Sequence, residues 1–206
     1  MSRYTGPRRK VMRALGVDLP GLSRKSIEGH NHPPGQHGLQ KANRKKSEFG
    51  QQLMEKQKLR FNYGVSETQL RRIVEEAKRQ KGATGNRIVE LLERRLDNMV
   101  FRAGFAPTIP AARQMVNHGH IQLNGRRATI PSIRVRAGDV FGPNEGGKKL
   151  ELLQATLKDP ALERPEWIAL DSQETSARLT HLPEGSDAAP FPLDVQRVVE
   201  YYATRI

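Results

Sequence analysis

Between residues 47 and 104 the apolar positions recur every three or four residues, the spacing of one helical face. Ser47 to Gly64 reads as a helix with Phe49, Leu53 and Tyr63 on its apolar side and Lys56, Lys58 and Arg60 exposed. Ser66 and Gln69 have the spacing of a capping box, which opens a second helix on Leu70, Ile73, Val74 and Ala77 and is stopped by Gly82. A third helix starts near Thr84, uses Ile88, Leu91 and Leu92, and runs on through Leu96, Met99 and Ala103 to Gly104. A short one follows, with Thr108 as N-cap, Pro110 in the first turn, Ala112, Met115 and Val116 apolar, and Gly119 at its end. The period then changes from helical to alternating. Ile121 and Leu123 lead into Asn124-Gly125, a strong hairpin signal, and Ala128 to Ile130 return. Ile133, Val135, Val140 and Phe141 read as further short strands, turned at Gly138-Asp139.

Beyond residue 142 the pattern is weaker. Leu150 to Leu157 predicts a short helix, Trp167 to Leu170 and Ala177 to Leu182 two strands that extend the sheet, and residues 183–192 a loop. Val195, Val198, Val199 and Tyr202 give a final amphipathic helix, too short to persist in water undocked. It is expected to pack on the early helices around Leu53, Leu70 and Val74, which makes the middle of the chain an insertion between its two ends. Residues 1–46 have no sustained apolar period. The expected fold class is α+β. It comprises a basic N-terminal extension (1–46), a helical bundle (47–93, completed by 193–206) and an inserted small α/β module of two helices and an antiparallel sheet (94–182, core 94–141).

Charge sharpens this picture. Among 206 residues only 36% are hydrophobic and 5% aromatic, so the core is modest and part of the chain is expected to order against a partner. The 35 Lys and Arg outnumber 22 Asp and Glu, for a net charge of +13, which favours a polyanionic partner. Residues 1–60 carry 14 basic and 4 acidic side chains, residues 61–142 carry 14 and 7, and residues 143–206 carry 7 and 11. The polyanion is therefore expected on the first two-thirds, and protein or solvent on the last third. Absence of cysteine removes disulfides and thiolate catalysis and is compatible with a reducing cytosol. No apolar run reaches membrane-spanning length, no secretory leader pattern is present, and no basic amphipathic helix with bulky apolar anchors is evident, so no membrane partner is expected.

Arg113, Arg126, Arg127, Arg134 and Arg136 cluster in sequence with His118 and His120, and guanidinium forks suit phosphate oxygens. The segments RLDNMVFRAGF and ARQMVNHGHIQLNGR, with the later R-x-GD, resemble the RNA-binding module of the bacterial small ribosomal subunit protein S-four family. GPRRK, PPGQHG, EKQKLRFNYGVSE, KGATG and VVEYY continue the resemblance in order over nearly the whole chain. It implies a structural protein that binds 16S rRNA directly as a primary binder and nucleates assembly of the small-subunit body. It also implies contact with small-subunit proteins five and twelve, an influence on translational accuracy, and basic residues lining the channel by which mRNA enters. The location implied is the cytoplasmic small subunit, with no small-molecule substrate and no cofactor.

The rRNA-binding set expected on these grounds begins with Arg3, Arg8, Arg9, Lys10 and Arg13 in the extension and Gln36 and His37 in PPGQHG. Arg44, Lys45 and Lys46, which are also the candidates for mRNA, come next, then Lys56, Lys58, Arg60, Arg71 and Arg72 on the bundle. Arg113, His118, His120, Asn124, Arg126, Arg127 and Arg134 complete it in the module. His118 and His120 have two readings, stacking on RNA or packing a loop, and Asn124 serves the turn first. Some family members carry a four-cysteine zinc site near the N-terminus. Here Arg9 and Met12 stand near two of those ligand positions, and His30, His32 and His37 with Glu28 make a poor set, so no metal is expected. Thr108-Ile109-Pro110 replaces the family's usual arginine-bearing start of that helix, which leaves Arg113 as its retained phosphate contact.

Two other functions fit the sequence less well. Arg95-Leu96-Asp97 resembles the catalytic signature of pseudouridine synthases, but it lies in a helical pattern with no nucleophile–base constellation elsewhere, so no catalytic residue is assigned. A free DNA- or RNA-binding regulator lacks the usual helix-turn-helix or zinc-finger pattern here.

Overall fold

The computed structural model describes residues 4–30, 32–42, 45–171 and 175–203. In chain order the helices of the first half are α1 (Arg8–Leu15), α2 (Gly38–Ala42), α3 (Glu48–Asn62), α4 (Glu67–Arg79), α5 (Thr84–Glu93), α6 (Leu96–Arg102) and α7 (Ile109–Asn117). Strands β1 (Ile121–Leu123), β2 (Arg126–Ala128) and β3 (Val140–Pro143) follow. Then come α8 (Glu145–Lys148), α9 (Glu151–Lys158), β4 (Ile168–Leu170), β5 (Ala177–Leu179), a 3-10 turn at Ser186–Ala188 and α10 (Val195–Ala203). This is an α+β chain. It divides into two compact units: one made of Met1–Val89 with Gly185–Ile206, the other of Glu90–Glu184. No helix among the described residues is long and apolar enough to cross a membrane.

In the first unit, local signals set the helix ends. Ser47 Oγ accepts from Gly50 N–H to cap α3, and Ser66 and Gln69 form the reciprocal capping box of α4. Helix α10 packs on α3 and α4. Tyr63 tilts against Phe191 at 6.2 Å, Phe49 stacks on Tyr201 at 5.9 Å, and Tyr202 Oη donates to Glu67 Oε1 at 2.8 Å. Gly85 lets Val195 approach so closely that a Cβ there would stand 2.7 Å from Val195 Cγ1.

The first residues do not lie apart from this bundle. Met12 and Leu19 are fully buried and Leu22 nearly so, Tyr4 meets Phe61 edge-on at 5.3 Å, and Gly21 N–H donates to Asn62 Oδ1 at 2.9 Å. The missing period has a physical reason. This segment is held by arginines reaching backbone carbonyls: Arg8 to Leu22 at 3.2 Å, Arg9 to Glu28 at 3.5 Å and Arg13 to His32 at 3.2 Å. Asp18 adds a turn by accepting from Ser26 Oγ and Ile27 N–H.

The second unit is a five-stranded antiparallel sheet, in the order β2-β1-β3-β5-β4, with α6 packed on α7. Ile121, Phe141, Ala177 and Leu179 are buried strand positions, and Phe105 meets Phe141 edge-on at 6.4 Å. The hairpin turns at Asn124 (φ 50°) and Gly125 (φ 75°), with Ile121 opposite Ala128.

Two expectations fail here. The helical pattern that continues through Leu92, Leu96 and Met99 is broken at Arg94 and Arg95, where Arg95 is extended (ψ 137°) and α6 restarts. Ile133 and Val135 do not form sheet strands. The two departures share one cause, because the freed backbone at 94–97 pairs with residues 131–135. Leu96 N–H donates to Ile133 O at 2.8 Å, Asp97 N–H to Pro131 O at 3.1 Å and Val135 N–H to Arg94 O at 2.8 Å, with a bridge between Arg95 and Arg134.

Candidate nucleic-acid interface

Helix α7 and the β1–β2 hairpin bring together several of the predicted module residues in the second unit. Thr108 caps α7 by accepting from Ala111 N–H, and Pro110 occupies its first turn. One turn later Arg113 points at Asp97. Its Nε and Nη2 both donate to Oδ2, at 2.9 and 2.6 Å. Arg95 forks onto the same carboxylate, Nε to Oδ1 at 3.1 Å and Nη2 to Oδ2 at 2.9 Å, and Asn98 N–H donates to Oδ1 at 2.9 Å. Asp97 has no exposed side-chain surface, Arg95 has 8% and Arg113 has 21%. A neighbouring buried pair, Glu93 with Arg102 at 3.2 Å, is joined through Asn98 Nδ2, which donates to Glu93 Oε2 at 2.9 Å.

At the other end of α7, Arg127 folds back from β2. Its Nη2 donates to His118 O at 3.2 Å, and its guanidinium lies where a Cβ on Gly119 would fall. Gly119 thus needs its missing side chain twice, for φ 73° and for this close approach. The guanidinium covers the carbonyl end of α7, where a cation is favoured. His118 is exposed, His120 half-buried, and their rings lie 6.1 Å apart. Arg126 and Arg136 are exposed and Arg134 half-buried. Asn124 serves its turn: Nδ2 donates to Asp139 Oδ1 and Oδ1 accepts from Val140 N–H, both at 2.9 Å.

In the first unit, Arg8, Arg9 and Lys10 are exposed and Arg13 half-buried; each arginine of this group donates to the carbonyl named above. Gln36, His37, Lys45 and Lys46 are exposed. Arg3 and Arg44 lie outside the described residues. Arg71 and Arg72 are exposed on α4, Arg71 paired with Glu75 at 3.3 Å.

The three basic residues expected on the exposed side of α3 are not there. Lys56 is 4% exposed, pairs with Glu67 at 2.8 Å and lies over the Tyr201 ring at 4.9 Å. Lys58 pairs with Glu55 at 2.7 Å, and Arg60 lies over the Phe61 ring at 5.2 Å. The reason is the docking of α10, which covers that side of α3, while Phe49 is left 48% exposed. Burial acts to raise the Glu67 carboxyl, but hydrogen bonds from Lys56 and Tyr202 and the charges of Lys56 and Arg60 outweigh it and hold the group below 4.5. Burial, with the bond to Glu67, pushes the Tyr202 phenol far above its ordinary 10.0.

Asp97, the acceptor that Arg95 and Arg113 share, is the contact that the sequence does not reveal. Its one signal is a place within a triplet whose pattern reads as a junction. Arg95 and Asp97 of that triplet are spent on each other. Among the described residues, no three His, Cys, Asp or Glu side chains gather as a metal site would need.

Comparison with known proteins covers the chain from end to end. The family described as "Ribosomal protein S4/S9 N-terminal domain" matches residues 3–93, and the "S4 domain" matches residues 94–141. "Small ribosomal subunit protein uS4" of Methylobacillus flagellatus is 60% identical over 206 residues, all of both chains. "Small ribosomal subunit protein uS4B" of Nitrosomonas europaea is 56% identical, and "Small ribosomal subunit protein uS4" of Prochlorococcus marinus is 48% identical over 207 aligned positions, each again over all of both chains.

Proposed function

This chain belongs to the small ribosomal subunit protein uS4 family, and from that premise we propose that it binds 16S rRNA directly as a primary binder and nucleates assembly of the small-subunit body. It is a structural ribosomal protein and not an enzyme. The observation that carries the reading is the unbroken match over both domains, with 60% identity to a named relative. Physical support comes from the exposed Arg126, Arg127 and Arg136 around the hairpin and α7, and from Arg8, Arg9 and Lys10 at the other end of the chain. In this reading the basic N-terminal segment and the inserted module grip the RNA backbone. Shape carries specificity, as it does in structured RNA.

The exposed Lys45 and Lys46, just before α3, are the candidates for mRNA at the channel by which it enters the subunit. The acidic last third supports contact with neighbouring proteins, of which proteins five and twelve of the small subunit are proposed, and through them an influence on translational accuracy. The protein acts in the cytoplasmic small subunit. Filter binding to folded 16S rRNA against salt tests the central claim. For about 6–10 phosphate contacts, affinity falls by about 10³–10⁵ between 50 and 200 mM salt. Affinity for folded rRNA no greater than for generic duplex would refute it.

A further inference from the structure

Asp97, whose side chain has no exposed surface, receives five hydrogen bonds on two oxygens, from two guanidiniums and one backbone amide. Such a cluster is a poor device for stability alone, since buried ion pairs can often be replaced by apolar groups without loss. It also works against simple attraction for RNA, because it sets a negative charge beside Arg113. What the carboxylate does supply is direction. Both Nε and Nη2 of Arg113 are held by Oδ2, which fixes the plane and direction of the guanidinium. Asp97 also donates its own backbone N–H to Pro131 O, next to the ladder that holds residues 131–135 and therefore Arg134. One buried acidic residue thus joins α7 to the loop bearing a second arginine.

We propose that Asp97 is a positioning residue for RNA recognition: it aims Arg113 and aligns α7 with the Arg134 loop, while Arg95 completes the carboxylate's shell from inside. This rests on the reading of the chain as an rRNA binder. Pure electrostatics and positioning predict opposite signs for one substitution. Asp97→Asn keeps the shape and removes one negative charge near the RNA, so attraction alone would tighten binding to every RNA. Positioning requires weaker binding to folded 16S rRNA, by about tenfold, within the range expected when one well-aimed arginine no longer meets its target. Binding to generic duplex should not weaken.

The experiment is filter binding of the full chain to folded 16S rRNA and to generic duplex RNA, at 50 and 200 mM salt, with circular dichroism for fold. Wild type, Asp97→Asn, Arg113→Gln, the double variant and Arg113→Lys are compared. The expected result is loss for Asp97→Asn on folded rRNA only, and no further loss when it is added to Arg113→Gln. Arg113→Lys, which keeps the charge but not the planar fork, should weaken folded-rRNA binding in the same selective way. Unchanged or tighter binding of folded rRNA by Asp97→Asn overturns the proposal. So does an equal loss in the Arg113→Gln background, which would make Asp97 structural only. If Asp97→Asn does not fold, Arg113→Lys decides: wild-type affinity overturns the proposal and selective loss supports it. Wild-type protein that fails to prefer folded rRNA refutes the rRNA-binding reading itself, and this proposal with it.

Discussion

Met12→Ala asks whether the N-terminal segment is folded before any RNA is met. Met12 is fully buried, with Leu19 also buried and its N–H donating to Met12 Sδ at 3.4 Å. Truncation removes three heavy side-chain atoms, about 2 kcal/mol of transfer free energy at roughly 0.8 kcal/mol per methylene-sized group. Incomplete collapse of the cavity brings the total to about 3 kcal/mol, within the 2–5 kcal/mol found for large-to-alanine changes in cores. With a urea m-value of about 2 kcal/mol/M, the unfolding midpoint of the first unit should fall by about 1.5 M. Urea titration of RNA-free protein, followed by far-UV circular dichroism, measures this, with Lys10→Ala as an exposed control. A midpoint within about 0.2 M of wild type, well below the shift expected from cavity formation, would mean that the buried state of Met12 is not populated without RNA. The extension would then be an arm that orders on contact.

Three further outcomes follow from the geometry. Asn124→Ala should lower the stability of the second unit by about 1–2 kcal/mol in thermal melts, through loss of two turn hydrogen bonds and a strained positive φ. Asn124→Gly, which relieves φ without restoring those bonds, should lower it by less; a greater loss would sink this account. Because the folded Glu67 carboxyl lies below 4.5, its stabilisation is complete above the unfolded value and disappears as pH falls through the folded one. Acid titration of wild type beside Glu67→Gln should show the difference between them narrowing below about pH 4.5, modestly because Glu67 is half exposed. Finally, a chelator should leave both the melting curve and rRNA affinity unchanged, and stoichiometric zinc in purified protein would contradict that.

Legibility follows the range of the interaction. The capping box at Ser66, the N-cap at Thr108 and the Asn124-Gly125 turn depend on neighbours within about four residues, and each is readable from the chain. Strands β4 and β5 are readable in place, because their apolar alternation persists in a weakly patterned region. What escapes are donors satisfied far along the sequence. Arg94 Nε reaches Val135 O across 41 positions, Arg113 reaches Asp97 across 16, and Arg13 reaches His32 across 19. An arginine aimed at a carbonyl and an arginine aimed at a phosphate look alike in sequence. The same ambiguity makes Lys56 and Lys58 look exposed when each is paired with a carboxylate, and makes the first segment look unpacked.

The first unit draws on both ends of the chain, and this has a consequence during synthesis. Residues up to Val89 leave the ribosome first, but the helix that covers α3 and α4 lies in the segment starting at Gly185. The 95 residues of Glu90–Glu184 must be made in between, an interval of about 5–20 s at bacterial elongation rates. Throughout it, Tyr63 lacks Phe191, Glu67 lacks the Tyr202 hydroxyl, and the side of α3 bearing Lys56 stands uncovered. Helix α1 and the segment through Leu22 precede α3 in the chain and have no such wait. The nascent protein therefore passes through a state in which its amino-terminal layer can be built while its carboxy-terminal layer does not yet exist. A chain stalled before Gly185 would hold that state open for capture by a chaperone, by a protease, or by RNA.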